Sequence, residues 1–199
     1  MNEEMNEAPF KAVDMSQFKR TYLDIPYADA HEREKLDLVL PDEGEGPFPV
    51  VVAVHGGAWK FRFKRADNIA GLFQAASQGY AVASVGYRLS SHAKWPAQVN
   101  DVKAAIRYLR NHAEEYHLDP KCVIVCGNSS GGHIAQTVAA TNDDIDFEDC
   151  LLGDCGDSSV QGCFSMYGVS DIYACEHQTG HRDDGDNPMS PPDQVMGFC

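Results

Sequence analysis

The sequence is poor in positive charge. It has 16 lysines and arginines against 30 acidic residues, a formal net charge of −14 at pH 7. Nucleic acids and anionic membranes need a basic face to bind, so this balance argues against both partners. The chain also lacks an apolar run long enough to span a membrane, and residues 1–5 are too polar for a secretory signal. These absences predict a cytoplasmic protein without a membrane partner.

A disulfide framework is not indicated either. The chain has seven cysteines, an odd number, and without an export signal reduced thiols are expected. Cys150, Cys155, Cys175 and His177 invite comparison with metal sites. Their C-x4-C and C-x-H spacings match no common zinc pattern. We therefore expect no metal site and no cofactor.

Apolar runs and helical segments alternate along the chain. Four near-continuous apolar runs predict parallel strands covered on both faces, at residues 50–54, 81–85, 122–126 and 160–166. Helices are predicted between them, at residues 66–77 and 96–117. Residues 21–27 and 35–40 alternate in polarity and predict an antiparallel entry hairpin. The order implies right-handed crossovers and a three-layer α/β/α sandwich around a mainly parallel sheet.

The chain is long enough for one substantial core. Its 199 residues are 43% hydrophobic, which is typical of a single globular domain. We predict a polar tail at residues 1–18, a core at residues 19–171 and a polar, lid-like segment at residues 172–199.

The stretch from Cys126 to His133 carries the first of two motifs with chemical meaning. It reads CGNSSGGH and joins an apolar run to a helical segment. A strand, a G-x-S-x-G turn and a helix in this order form a nucleophile elbow, in which a sharp turn exposes one serine hydroxyl. Gly127 and Gly131 suit a turn that has no room for side chains. The motif therefore predicts Ser129 as the catalytic nucleophile.

The second motif follows the strand predicted at 50–54. It begins with His55 and reads HGGAW. A loop of this kind supplies backbone N–H groups to an oxyanion hole, together with the residue after the nucleophile. We predict Gly56 and Gly57 as donors from the loop and Ser130 as the donor after the nucleophile. His55 is expected to order the loop by hydrogen bonding.

With both motifs, the chain resembles the α/β-hydrolases of the hormone-sensitive-lipase-like and feruloyl- or acetyl-esterase-like group. The resemblance runs from about Tyr22 to Gly197, and Ala58 stands where the commoner HGGG loop has its third glycine. Similar segments also precede the nucleophile, namely Tyr87-Arg88-Leu89, Trp95-Pro96-Ala97-Gln98 and Asp101-Val102-Lys103-Ala104-Ala105. The resemblance implies an α/β-hydrolase fold and the activity of an esterase or lipase.

The resemblance also implies a catalytic acid after a seventh strand and a catalytic histidine after an eighth. No apolar strand run follows Tyr167, so we expect a fragment that lacks the last two strands and, with them, the acid and the base. Asp171 with His177 or His181 has the required order and forms the alternative, a compact triad. His133 belongs to the helix after the nucleophile, and its position favours a packing role.

The predicted function is therefore that of a serine carboxylic-ester hydrolase that acts through an acyl-enzyme on Ser129. Its substrate would be a small-molecule or carbohydrate-linked ester, whose acyl and alcohol groups stay open. The alternative is a non-catalytic binding protein that retains the hydrolase pocket. Without further strands, residues 160–167 would form an exposed sheet edge, which predicts self-association.

Overall fold

One six-stranded sheet organises residues 11–172, 174 and 175, the part of the chain that the computed structural model describes. The strands are β1 (Thr21–Pro26), β2 (Lys35–Val39), β3 (Phe48–Val54), β4 (Ala81–Val85), β5 (Leu118–Asn128) and β6 (Gly162–Met166). Their order across the sheet is β1-β2-β4-β3-β5-β6. The neighbouring pairs β4–β3, β3–β5 and β5–β6 are parallel, whereas β1–β2 and β2–β4 are antiparallel. The predicted mainly parallel sheet with an antiparallel entry hairpin is confirmed.

Apolar side chains on both faces explain why the middle of the sheet is covered by helices. In β3, Val51 is paired with Val82 of β4 and Ile124 of β5. Val51 contributes to the core cluster on one face, and its neighbours Val50 and Val52 contribute to the cluster on the other. A strand with apolar residues at consecutive positions must be buried on both sides.

Helices lie on both faces of the sheet. Two α-helices, α1 (Ala97–Asn111) and α2 (Ser130–Ala140), join the larger core cluster. A 3₁₀ helix, Asp67–Gln78, covers the other face with Ile69 and Phe73. The helix predicted at 66–77 is therefore present, but with the tighter 3₁₀ pitch.

The helix predicted at 96–117 is shorter than expected. It ends at Asn111, where the next residue, His112, lies with its ring nitrogen Nδ1 2.9 Å from the carbonyl oxygen of Tyr108. The N–H of His112 donates to the same carbonyl at 3.0 Å, but the next amide, that of Ala113, donates to the carbonyl of Arg110, three residues back, at 3.2 Å. The α-helical bonding pattern thus stops after His112 in a tightened last turn, which is common at helix ends. Turns follow, and β5 already begins at Leu118.

The described part of the predicted tail is docked on the sheet's helical layer. Ala12 forms an isolated antiparallel bridge with Ala66, and Met15 is buried. The ring centroids of Phe18 and Phe73 lie 5.6 Å apart. A backbone bridge and two apolar side chains thus tie residues 12–18 to the 3₁₀ helix and the chain just before it.

Arg107 of α1 anchors the loop that follows α2. Its side chain is buried and donates to the carbonyl oxygens of Asp149, Leu152 and Asp154 at 3.0, 2.8 and 2.6 Å. The guanidinium also pairs with Glu148, with 2.6 Å between Nη1 and Oε2. This loop is therefore attached to the core by a buried cation.

β6 lies at one edge of the described sheet. Two aromatic side chains at this edge face solvent: Phe164 is 58% exposed and Tyr167 is 77% exposed. The strand is therefore less covered than the apolar run at 160–166 predicts.

Among the described residues, none of the helices combines the length and the apolar composition that a membrane span requires.

Candidate active site

Ser129 lies at the turn between β5 and α2. Its backbone has φ 52° and ψ −123°, a region that residues with a side chain rarely adopt. Its N–H donates to the carbonyl of Met166 at 3.0 Å, and its own carbonyl accepts from His133 N–H at 3.0 Å. Such strain persists only when the surroundings hold it, and it is typical of functional turns. The half-buried Ser129 thus has the backbone of a nucleophile elbow.

Both glycines of the G-x-S-x-G motif are required by close backbone contacts. A Cβ atom on Gly127 would lie 2.3 Å from the carbonyl oxygen of Gly131. A Cβ on Gly131 would lie 2.3 Å from the oxygen of Val54 and 2.5 Å from that of His55. Only glycine allows the start of α2 to approach the end of β3 this closely. The elbow and the HGG loop are therefore in direct contact.

The HGG loop has an unusual backbone. Gly57 has φ 132°, and a Cβ there would lie 2.1 Å from the carbonyl oxygen of Phe61. The carbonyl of Gly57 accepts from the N–H groups of Lys60 and Phe61 at 2.9 and 3.0 Å. Ala58 and Trp59, which follow directly, have φ values of 49° and 56°. Three consecutive residues with positive φ turn the chain sharply beside the elbow.

Asn128, which the sequence reasoning did not single out, connects the elbow to the HGG loop. Its buried Oδ1 accepts from Gly56 N–H at 2.9 Å, and its Nδ2 donates to the hydroxyl of Tyr167 at 3.3 Å. The N–H of Gly56, predicted as an oxyanion donor, is therefore already engaged by a side chain. A polar residue directly before the nucleophile is the only signal in the sequence that could have indicated this link.

His55 is buried under the loop. Its Nδ1 lies 2.8 Å from the carbonyl oxygen of Gly56, and its ring stacks on Tyr87 with 4.3 Å between centroids. Tyr87 also donates its hydroxyl to the carbonyl of His55 at 2.8 Å. Burial lowers the pKa of His55 to about 3, so the ring is neutral near pH 7. These contacts suit a residue that orders the loop rather than a base.

His133 packs against two tryptophans. Its ring centroid lies 5.3 Å from that of Trp59, nearly perpendicular, and 4.7 Å from that of Trp95, tilted by 33°. Burial lowers the pKa of His133 to about 4. We call these three residues the Trp59–His133–Trp95 cluster.

A base for Ser129 is not found in the described part of the chain: no imidazole or carboxylate there hydrogen-bonds to Ser129 Oγ. Asp171 is exposed, and its Oδ1 accepts from the N–H of Ala174 at 2.8 Å, as a helix cap does. His177 and His181 lie outside the described residues. Within residues 11–172, 174 and 175, no three His, Cys, Asp or Glu side chains are grouped as metal ligands would be.

Comparison with known proteins finds similarity to esterases. Esterase LipQ of Mycobacterium tuberculosis is 31% identical over 156 residues, which cover 77% of the chain and 37% of LipQ. A bifunctional GH43-CE protein of Bacteroides eggerthii is 33% identical, with a TM-score of 0.74 over 89% of the chain and 26% of its own length. A truncated carbohydrate esterase from gut microbiota is 27% identical, with a TM-score of 0.73 over 94% of the chain and 68% of its own length.

The chain spans about a third of the length of the curated relatives it matches, with 37%, 31% and 35% of LipQ, LipC and LipM covered. The family model described as BD-FAE matches residues 36–198, which is most of the chain. This match, the esterase relatives and the sheet topology all point to one family. The chain belongs to the BD-FAE family of α/β-hydrolase esterases.

Proposed function

We propose that the protein is a serine carboxylic-ester hydrolase whose nucleophile is Ser129. The proposal rests chiefly on one observation, the contact between the elbow and the HGG loop. The backbone at Gly131 lies against the carbonyl of His55, so the two motifs meet at the carboxyl ends of the neighbouring strands β3 and β5. Chance motifs would have no reason to meet there.

The oxyanion hole in this proposal has one donor from each motif. Gly56 N–H is bonded to Asn128, so the loop donor is Gly57, the next residue. Ser130 N–H, at the start of α2, is the second donor, where the helix dipole also favours negative charge. Two N–H groups aimed at one oxygen stabilise the tetrahedral intermediate of acyl transfer. His55 and Asn128 hold the loop and do not touch the substrate.

The reaction then follows from these positions. Ser129 Oγ attacks the ester carbonyl, and the carbonyl oxygen takes the negative charge beside the two N–H groups. Collapse of the intermediate expels the alcohol and leaves an acyl-enzyme, which water hydrolyses to the free acid. The proton of the serine passes to a base that we place outside the described residues, oriented by an acid from the same part of the protein.

The substrate class is proposed from relatives. Two similar solved structures are a GH43-CE protein and a carbohydrate esterase, which supports a small-molecule or carbohydrate-linked ester for this chain. Self-association through β6 also stays a proposal, which the exposed ring of Phe164 supports. The predicted cytoplasmic location remains a prediction.

The first prediction concerns turnover. We expect the 199-residue chain to hydrolyse p-nitrophenyl acetate only at a residual rate, on the order of 10³–10⁴-fold above water, because an oxyanion hole gives no more when none of the described residues acts as a base for Ser129. Under those conditions, Ser129→Ala should lower the rate by less than about tenfold. Release of p-nitrophenol is the measurement, and Ser77→Ala, at an exposed serine far from the site, is the matched control.

Two other results would have different meanings. A high rate that Ser129→Ala abolishes would put the base inside the chain, in the compact triad with Asp171. His177→Ala and His181→Ala would then identify which histidine serves. A high rate that survives Ser129→Ala would contradict Ser129 as the nucleophile and favour a different site.

A further inference from the structure

We infer that His133 is a positioning residue for the HGG loop. The Trp59–His133–Trp95 cluster acts as an aromatic clamp that holds the loop against the nucleophile helix. The inference deepens the proposed function, because the held loop carries the proposed donor Gly57. The clamp itself is a property of the fold and can be tested without turnover.

The HGG loop has a strained backbone, which must be stabilised by contacts with the rest of the protein. Ala58 and Trp59 are consecutive residues with side chains, and both have left-handed φ values of 49° and 56°. Each such residue costs on the order of 1 kcal/mol or more, and the strain persists only when surrounding contacts over-determine it. The backbone bond from Ser90 N–H to the carbonyl of Trp59, at 2.8 Å, is one such contact. The packing of the indole ring is another, because Trp59 is only 3% exposed.

His133 supplies part of the surface against which that indole packs. Its ring centroid lies 5.3 Å from that of Trp59 at an interplanar angle of 87°, an edge-to-face arrangement that aromatic rings favour. The backbone of His133 is fixed in turn, since its N–H donates to the carbonyl of Ser129 at 3.0 Å. One residue of α2 therefore bonds to the nucleophile through its backbone and contacts the HGG loop through its ring.

Trp95 gives the imidazole a second ring contact. Its ring centroid lies 4.7 Å from that of His133, so the imidazole is in contact with both indoles. The Nδ1 atom of His133 is buried and has no hydrogen-bond partner among the described residues. Ring packing, rather than a bond at Nδ1, thus holds the imidazole. A phenyl ring of similar shape should serve as well.

The chain contains its own reporters. It has two tryptophans, and both contact His133. The loop also has protected amides, because the N–H groups of Lys60 and Phe61 donate to the carbonyl of Gly57. Opening of the clamp would expose the indoles to a collisional quencher and the two amides to solvent exchange.

The experiment compares the full 199-residue chain with His133→Ala, His133→Asn and His133→Phe. Hydrogen exchange at Lys60 and Phe61, followed by NMR or mass spectrometry, is combined with acrylamide quenching of tryptophan fluorescence. We expect His133→Ala to speed loop exchange by roughly tenfold and to increase quenching, with His133→Asn close behind it. His133→Phe should restore both readouts to nearly the wild-type values.

Two controls separate a clamp from general destabilisation. Amides of β5 serve as an internal reference, because a merely structural loss would accelerate exchange there by the same factor. Gln136→Ala removes a side chain of the same helix that bonds instead to Ser165 Oγ at 2.8 Å, and it should leave loop exchange unchanged. If His133→Ala does not fold, His133→Asn and His133→Phe still give the comparison.

Loop exchange that matches wild type in His133→Asn would overturn the inference. Acceleration in His133→Phe equal to that in His133→Asn would also overturn it, because the imidazole nitrogen rather than the ring would then matter. Neither readout requires ester hydrolysis. Failure of the proposed function would leave this test intact, and failure of the clamp would leave Ser129 as the proposed nucleophile.

Discussion

Gly57→Ala should slow the reaction of Ser129 with an alkyl p-nitrophenyl phosphonate, which is already slow without a base among the described residues, by about 10²–10³-fold, the effect of losing one oxyanion donor. An added Cβ would lie 2.1 Å from the carbonyl oxygen of Phe61, at a φ of 132° that alanine avoids. The loop must move to admit it, and the N–H of Gly57 moves with the loop. The measurement is the second-order rate of p-nitrophenol release.

Gly71→Ala is the matched control for this substitution. Gly71 lies in the 3₁₀ helix, and a Cβ there would meet nothing within 4 Å. The same chemical change should therefore leave the phosphonate rate unaltered. A Gly57→Ala protein that reacts as fast as Gly71→Ala would show that the loop N–H plays no part in stabilising the intermediate.

Arg107→Met should lower the free energy of unfolding by about 3–5 kcal/mol, because it leaves three loop carbonyl oxygens without the buried cation that donates to them. These carbonyls lose donors that now lie 2.6 to 3.0 Å away, whereas Glu148 keeps Lys103 Nζ at 3.0 Å. A loss of this size is a large part of the total stability of a typical domain. Urea denaturation, with the midpoint and slope compared to wild type, measures it.

Lys19→Met is the control for the loss of positive charge. Lys19 pairs with Asp42 at 3.1 Å, but its side chain is 78% exposed. Exposed pairs contribute little, so this variant should stay within about 0.5 kcal/mol of wild type. Equal effects of the two substitutions would mean that Arg107 is not the anchor of the loop.

The sheet and both motifs could be predicted because their signals are local. Apolar runs such as Val50 to Val54 contain the information for a doubly covered strand within five residues. The glycines at 127 and 131 likewise record the tight turn within the motif itself. Features that depend on a few neighbouring residues can be predicted from a single sequence.

The link through Asn128 was missed because it joins residues far apart in the chain. Gly56 and Asn128 are separated by 72 positions, and the pairing of β3 with β5 brings them together. The HGG motif alone does not indicate that one of its N–H groups will donate to a side chain of the other motif. The donor assignment therefore had to change from two loop glycines to Gly57 in the proposal.

The Trp59–His133–Trp95 cluster was missed for the same reason, because its residues lie far apart in the chain. Its three residues come from the HGG loop, from α2 and from the loop before α1. Helical position indicated that His133 would pack, but not against which side chains. The early end of α1 was also unpredictable from periodicity, because it depends on which carbonyl accepts from each amide after Asn111, and Ala113 N–H donates to Arg110, three residues back.

Mass-spectrometric mapping of the phosphonate adduct is the most direct measurement of whether Ser129 is the nucleophile beside an oxyanion hole. The phosphonate forms a bond to the attacking serine oxygen as p-nitrophenolate leaves, and the tetrahedral adduct resembles the intermediate of ester hydrolysis. We predict a single adduct, on Ser129, that is absent from Ser129→Ala. An adduct on Ser130 or on another serine, or equal labelling of wild type and Ser129→Ala, would contradict the assignment.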